Sequence, residues 1–338
     1  MNNTINTLEA LLERSQKSEN FTAGSALREK ELSTSLPELD SGVNRVHLSK
    51  GSGTMLGGAP RLPLAAFCDS MHSLFPAESA RVCEGPEGLL RVGPEVRLVV
   101  LVPAYNPGVL LEETLRAVLR FHSEVWLLVD GSTDRSHEGL EAVFGGTPGF
   151  RVVRRRRNWG KGATILAGAQ MAFAEKFTHI LCFDADGQHP ANLIPEFRSA
   201  SQSHPGGIVM GEPRFGRDAP LERVYFRRLA NLCARLETGG RFRWDSLFGM
   251  RVYPVKPLLE AFAQTRHGRG YDFETEIAVR MIWNGLSAIG IRAPVSYPHP
   301  TRGGVSHFRY VRDNLLLVRT HARLLAEAVV RTVRKTFV

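Results

Sequence analysis

Two carboxylates and a side-chain amide stand at alternate positions in Asp184-Ala185-Asp186-Gly187-Gln188, with His189 and Pro190 next in the chain. Hard oxygens at i, i+2 and i+4 of one loop suit Mg²⁺ or Mn²⁺, and they leave coordination positions open for phosphate oxygens and water. Just before them, His179 to Phe183 is a short apolar run, the pattern of a strand buried in a parallel sheet. Such strands deliver the loops at their carboxyl ends to a ligand crevice. A bare Asp-x-Asp occurs by chance roughly once in a chain of this length, so context must carry the assignment. The competing reading is a solvated turn shaped by Asp186 and Gly187, with Pro190 opening the next helix.

Three more loops carry polar residues directly after apolar runs: Pro103-Ala104-Tyr105-Asn106, Asp130-Gly131-Ser132-Thr133-Asp134 and Asn158-Trp159-Gly160-Lys161-Gly162. Asp130 could accept hydrogen bonds from a base N–H or a sugar hydroxyl, or shape a turn. Lys161 lies at a helix start, where free backbone N–H groups and an ammonium would both favour a phosphate. The Walker pattern fails because Gly162 stands where Ser or Thr is required, and the dinucleotide fingerprint fails at Ile165. The basic run Arg154 to Arg157 could help hold a diphosphate or simply be a solvated strand end.

Placing four such loops on one rim requires alternating strands and helices, and the pattern supplies them. Strands are expected at Val96 to Val102, Val125 to Val129, Phe150 to Arg154, His179 to Phe183 and Gly207 to Gly211. Helices are expected at Val109 to Phe121, after an Asp134 cap, at Ala163 to Lys176 and at Pro190 to Ser201. Short connections between them argue a doubly wound, mostly parallel α/β sheet flanked by helices. Beyond Gly211 the regularity weakens: helices at Leu221 to Leu236, Val255 to Ala263 and Phe273 to Trp283, with strands at Phe248 to Tyr253 and Ala288 to Arg292. Residues 1–60 have little apolar bulk and read as a mostly disordered extension, in which Leu8, Leu11 and Leu12 could form one short, fraying amphipathic helix. Residues 61–94 read as a linker or small cap.

In order and spacing, the four loop motifs resemble those of inverting family 2 glycosyltransferases of the GT-A fold. The likeness is greatest to the dolichol-phosphate mannose synthase branch and runs from about Val96 to Phe308. It implies a domain over residues 95–308 that moves a sugar from a UDP- or GDP-sugar to an acceptor such as a lipid or polyprenyl phosphate. It implies Asp184, Asp186 and Gln188 as ligands of Mg²⁺ or Mn²⁺. By the same likeness Pro103, Ala104 and Tyr105 line the nucleobase pocket, Asp130 bonds the base or ribose, and Lys161, Asp184 and Arg251 belong to the donor site.

Asp245-Ser246-Leu247-Phe248-Gly249-Met250-Arg251 resembles the family's Asp-x-x-x-Gly-Phe-Arg segment, with Met250 in place of the aromatic. Asp272-Phe273-Glu274-Thr275-Glu276 falls where these enzymes place an acid near the acceptor. Asp245, Asp272 and Glu274 are therefore the catalytic candidates, with structural ion pairing to Arg251 or Arg280 as the alternative for Asp245 and Glu274. A hydroxyl acceptor would need one of these acids as a base; a phosphate acceptor would not. Arg302 to Phe308 resembles the family's Gly-x-Ser segment. One departure is Val129, since the family usually carries two consecutive acids before Gly-Ser. That gap leaves room for a nucleotide-sugar-binding module of weak activity, and a sugar nucleotidyltransferase is the other rival.

Over 338 residues, 43 Lys and Arg against 34 Asp and Glu give a formal charge of +9, which points to an anionic partner. No nucleic-acid recognition motif accompanies that charge. Cys68, Cys83, Cys182 and Cys233 are scattered without metal or disulfide spacing, and Met1-Asn2-Asn3-Thr4 lacks a signal-peptide start, so the expected setting is cytoplasmic. No apolar run approaches a membrane span. In residues 309–338, Leu315, Val318, Ala322, Leu325 and Val329 recur at helical spacing among arginines. A basic amphipathic helix of this kind could cover the core or touch the inner face of an anionic membrane.

Overall fold

The computed structural model describes residues 95–215, 221–295 and 310–336. The expectations for residues 1–94 and for Arg302 to Phe308 fall outside them. Seven strands form one sheet: β1 (Leu98–Ala104), β2 (Val125–Asp130), β3 (Phe150–Arg155), β4 (His179–Cys182), β5 (Ile208–Arg214), β6 (Arg251–Pro254) and β7 (Ala288–Pro294), in the order β3-β2-β1-β4-β6-β5-β7. β6 runs antiparallel to both β4 and β5, while the other neighbours are parallel. The sheet is thus the mostly parallel one expected. From β1 the chain winds outward through β2 and β3, then returns to β4 on the other side of β1. That reversal makes β1 and β4 the switch point, and in such sheets the crevice at the carboxyl ends of the strands there is the usual ligand position.

Alternation along the strands builds a core on each face. Val99 and Leu101 of β1, with Trp126 and Leu128 of β2, enter one core; Val100 and Val102, with Val125 and Leu127, enter the other. Helices α1 (Leu110–Leu119), α2 (Leu140–Phe144), α3 (Lys161–Ala174), α4 (Ile194–Ser203), α5 (Leu221–Glu237), α6 (Val255–Ala263), α7 (Phe273–Trp283) and α8 (Tyr310–Thr336) complete the described elements. α3 sits close on the sheet because Gly168 has no side chain: a Cβ there would lie 2.7 Å from both Leu101 and Leu128.

Two expected boundaries differ for physical reasons. Asp134 does not cap a helix, which starts only at Leu140. Its carboxylate instead accepts from the N–H of Gly108 at 2.9 Å and of Ser136 at 3.2 Å, tying the β1 loop to the β2 loop. The strand expected from Phe248 begins at Arg251, because Phe248 and Gly249 are drawn into the crevice that β4 and α3 border.

α8 is fastened to α7 by buried ions. Glu276, fully buried, accepts from Arg280 at 2.6 Å and from Arg323, while Arg280 also reaches Glu327 at 2.8 Å. Burial alone would raise the Glu276 pKa, but the Arg323 hydrogen bond and the Arg280 charge hold it below the usual carboxylate range. Glu327 is likewise held low against burial by Arg280 and Arg331. Carboxylates depressed in the folded state contribute stability above their ordinary pKa and lose it as pH falls through the depressed value. Acid is therefore expected to loosen α8 from α7. Trp283, which packs against Arg280 and Arg331, reports the change by fluorescence. Glu276→Gln should cost about 3 kcal/mol in urea unfolding, because it leaves buried guanidinium groups without their counter-charge.

No helix among the described residues is long and apolar enough to cross a membrane. The outcome for the C-terminal helix is more specific than expected. Leu317, Thr320, His321 and Leu324 face inward; of the stripe legible in the sequence, Leu315, Val318, Ala322 and Val329 face solvent and Leu325 is half-buried.

Candidate active site

β4 ends at Cys182, and buried Phe183 carries the chain to Asp184 at the mouth of the crevice. The Asp184 carboxylate is held from two sides. Lys161 Nζ, at the first turn of α3, is 2.6 Å from Oδ1, and His189 Nε2 is 3.1 Å from Oδ2. The same ammonium lies 2.5 Å from Glu274 Oε1 in α7, so one cation bridges two acids contributed by different elements. Burial by itself would lower the Lys161 pKa, but Asp184 and Glu274 raise it well above the ordinary value. Asp184 is driven below the carboxylate range: burial opposes its charge, and Lys161 and His189 outweigh burial.

Asp186 has the opposite electrostatics. Its Oδ1 accepts the Gln188 N–H at 3.0 Å, yet burial and then the Asp184 charge push its pKa upward. A cation placed between the two carboxylates would remove that penalty. Among the described residues there is no cluster of three or more His, Cys, Asp or Glu side chains able to hold a metal. The donor set here is two carboxylates and an amide, which suits Mg²⁺ or Mn²⁺ completed by substrate phosphates and water. The residues fit such an ion, with one condition: Asp184 must share or release one of its two contacts, Lys161 at Oδ1 or His189 at Oδ2.

His189 is fixed by aromatic edges. Its ring lies 4.6 Å from that of Phe248 and 5.5 Å from that of Phe183, near perpendicular to both. Nδ1 is buried without a hydrogen-bond partner, so the ring's polar contact is spent on Asp184. Gly249 closes the site from the β6 side. A Cβ at this position would fall 2.6 Å from Asp184 Oδ2 and 2.8 Å from Lys161 Nζ. Gly249→Val should therefore part the Lys161–Asp184 contact and lower kcat about a hundredfold, on the scale of an ångström's misplacement. An unchanged near-ultraviolet circular dichroism spectrum would separate this from unfolding.

The loops around the crevice mostly clamp one another. Asp130, buried at the end of β2, accepts from the N–H of Gly160 at 2.8 Å and of Trp159 at 3.1 Å. It thereby fixes the loop that carries Lys161. Asn106, in the left-handed region at φ 46°, accepts from the N–H of Thr133 at 2.6 Å and donates its own N–H to Ser132 at 3.0 Å. Two of the amides expected to be free at the start of α3 are taken. Gly162 N–H donates to Gly270 O at 3.3 Å and Ala163 N–H to Arg269 O at 3.1 Å, with the 268–270 backbone lying where a Cβ on Gly162 would otherwise sit. The phosphate cradle read from the sequence thus loses the Gly162 and Ala163 amides and rests chiefly on Lys161.

A family model described as glycosyl transferase family 2 matches residues 99–273, more than half of the chain and the whole stretch from β1 to the start of α7. The chain belongs to glycosyl transferase family 2. It is a glycosyltransferase, and its named relatives agree with the branch its motifs resemble. It is 26% identical to polyprenol monophosphomannose synthase of Mycolicibacterium smegmatis over 61% of this chain and 79% of that protein. It is 23% identical to undecaprenyl-phosphate mannosyltransferase of Micrococcus luteus, over 55% of this chain and 77% of that one. Among solved structures it shares the fold of Mycobacterium tuberculosis glucosyl-3-phosphoglycerate synthase bound to UDP, with a TM-score of 0.52, 17% identity, and coverage of 68% of this chain and 80% of that chain. The same enzyme solved with Mn²⁺, UDP and phosphoglyceric acid matches with a TM-score of 0.50 and 17% identity, covering 69% and 78%. The sheet is accordingly the GT-A sheet.

Within this family member, the predicted site residues separate into three groups. Lys161, Asp184, Asp186 and Glu274 meet at the crevice, and Gln188 stands on the same loop. Pro103 and Ala104 end β1, with Tyr105 exposed beside them. Arg251, Asp245 and Asp272 are placed differently from what was expected of them. Arg251 is fully buried and donates to the carbonyls of Glu274 at 2.6 Å, Phe248 at 2.8 Å and Asp245 at 3.0 Å, so it braces the segment beneath the site. Asp245 is gripped by Arg227 at 2.5 Å and Asn231 at 3.1 Å, not by Arg251. Asp272 accepts from the N–H of Gly268 and Gly270, both at 3.1 Å, and shapes the loop packed on α3. Arg154 pairs with Glu141 at 2.7 Å and Arg155 stacks on Trp159, so both serve the local structure.

Sequence reasoning missed the Lys161–Glu274 bridge and the role of His189. Nothing local signals a contact between residues so far apart in the chain. Gly249 was within reach: a glycine at a fixed place in the Asp245 to Arg251 segment asks what approaches it.

Proposed function

We propose that this glycosyltransferase moves a hexosyl group from a UDP- or GDP-sugar to a polyprenyl phosphate, with inversion at the anomeric carbon. The bond from C1 to the donor diphosphate breaks, a bond from C1 to an acceptor phosphate oxygen forms, and the nucleoside diphosphate leaves with the electron pair. The observation that carries this reading is the pair Asp184 and Asp186 on the loop after β4, one acid held by Lys161 and the other disfavoured as a charge by burial and by its neighbour. With Gln188 they would hold Mg²⁺ or Mn²⁺, which stabilises charge on the departing diphosphate. The Mn²⁺ in the glucosyl-3-phosphoglycerate synthase structure supports a divalent ion on this fold.

The remaining roles fall to the chain's own groups. Pro103, Ala104 and Tyr105 flank the base, and Asp130 acts by fixing the loop of Lys161. A diphosphate oxygen would compete with Asp184 for the Lys161 ammonium, which Glu274 also holds. The state of the acceptor-side acids supports a phosphate acceptor. Asp245 is held by Arg227, Asp272 by two amides and Glu274 by Lys161, so each candidate base is already engaged. A phosphate monoester, largely ionised at neutral pH, needs no proton removed before it attacks. The names of the mannosyltransferase relatives point the same way.

UDP- and GDP-hexoses, offered with Mn²⁺ and either a polyprenyl phosphate or the matching polyprenol, test both halves of the proposal. Nucleoside diphosphate release is expected with the phosphate and not with the alcohol. Equal turnover on the alcohol would mean that one of the engaged acids works as a base after all.

A further inference from the structure

The two helices that cover α7 on the outside have more apolar surface than their packing uses. On α5, Tyr225, Leu229, Leu232 and Leu236 succeed one another at helical spacing and are between 46% and 66% exposed. On α8, Leu315, Val318, Val329 and Val333 form a second such stripe, each 49% exposed or more, joined by exposed Ala322 and Ala326. These are not the faces that hold the helices down. α5 turns Ala230 and Ala234 inward and α8 turns Leu317 and Leu324 inward, and the helices are linked by His321 Nδ1 to Glu237 Oε1 at 2.7 Å. α8 packs directly against α5, so the two stripes lie on adjacent helices. Apolar patches shared by adjacent helices mark an interaction surface far more often than isolated exposed residues do.

The charges choose the occupant. Where side chains of these helices are described, the exposed charges are Arg228 and Arg235 on α5 and Arg312, Arg319 and Arg334 on α8. Among those described side chains no acid is exposed: Glu237 and Asp313 are buried, and Glu327 is half-buried against Arg280 and Arg331. A second copy of the same face would bring arginines against arginines. A surface with acyl chains below and anionic headgroups above matches both components, since apolar side chains enter the acyl boundary while guanidinium groups stay at headgroup level.

We propose that the outer faces of α5 and α8 together seat the protein on an anionic lipid surface. The inner side of α5 carries Arg227 and Asn231, which hold Asp245 and hence the segment leading to Gly249 over the reacting centre. The seat and the acceptor side of the crevice are thus built on one helix. In its functional meaning the inference rests on the lipid-acceptor reading above, but lipid binding is measurable without turnover.

The test is co-sedimentation of the full chain with phosphatidylcholine vesicles and with vesicles in which about one third of the lipid is phosphatidylglycerol. Binding is expected on the anionic vesicles only, weakening with salt. Leu232→Glu with Val329→Glu, and separately Arg235→Glu with Arg319→Glu, should each lower it roughly tenfold or more. These positions are exposed, so circular dichroism and transfer to a short, water-soluble polyprenyl phosphate should not change. Wild-type binding in both double variants, or equal binding to neutral vesicles, would overturn the proposal. So would a dimer without vesicles that the apolar variant splits, since the face would then belong to a second copy. If vesicle binding fails while short-chain transfer persists, the seat is wrong and the proposed function stands. If vesicle binding behaves as expected and no phosphate acceptor receives sugar, the proposed function fails and the surface remains.

Discussion

Asp186→Asn is expected to abolish measurable transfer, a loss of about a thousandfold or more, without lowering the melting temperature. The two halves of that expectation have different origins. Loss of transfer comes from removing one of two charges that would hold a divalent ion, whose stabilisation of a leaving group is worth several kcal/mol of barrier. Retained stability comes from the electrostatics of the protein itself. Burial and the neighbouring Asp184 both disfavour the Asp186 charge. A carboxyl whose pKa is raised on folding costs stability when ionised at neutral pH, so an isosteric amide relieves a strain and creates none. Asp184→Asn should lose transfer equally but behave differently on heating. It deprives the buried Lys161 of one partner and His189 of the carboxylate it pairs with, and should cost about 3 kcal/mol. Thermal unfolding beside Mn²⁺ titration by electron paramagnetic resonance separates the two. Equal destabilisation by both variants would show that the asymmetry between the acids is not real.

The contrast between these neighbours shows what the sequence could and could not carry. Spacing together with its context suggested Asp184, Asp186 and Gln188 as one donor set, and a short apolar run placed them at the end of a buried strand, where β4 indeed delivers them. α6 and α7 begin and end at the residues read from periodicity. The features that were not legible depend on contacts between distant segments. The backbone amides at the start of α3 looked free because the 268–270 loop that takes them lies on the far side of the β5 and β6 region in sequence. Arg251 looked like a donor ligand because an arginine beside a site motif commonly is one; only the fold reveals three carbonyls closing around it. The C-terminal helix was read on its most apolar stripe. The core instead accepted the stripe with Thr320 and His321, since Glu237 and Glu276 wait beneath it for hydrogen-bonding partners and charges.

Lys161→Met should lower transfer by about a hundredfold, within the range of removing a preorganised electrostatic contact to a developing charge. It should also tighten binding of Mn²⁺ to the nucleotide-free protein. The second effect distinguishes this lysine from an ordinary phosphate ligand. Its ammonium sits 2.6 Å from Asp184 Oδ1, so in the absence of donor it would compete with a bound ion for that carboxylate. A nucleoside diphosphate supplies oxygens that can draw Lys161 off Asp184, so metal and nucleotide should each improve the other's binding in the wild type. That mutual improvement should shrink in the variant. The substitution also leaves Asp184 and Glu274 charged and buried without their shared cation, which should cost about 3 kcal/mol of stability. Adding Glu274→Gln to Lys161→Met removes one of the two stranded charges, so it should return part of that stability while returning none of the transfer. A double-mutant cycle on unfolding free energy measures the coupling between the two residues, and nucleotide-free Mn²⁺ titration measures the competition. Weaker Mn²⁺ binding in Lys161→Met would reverse the sign of the argument: the lysine would then be orienting Asp184 for the metal and not occupying its place.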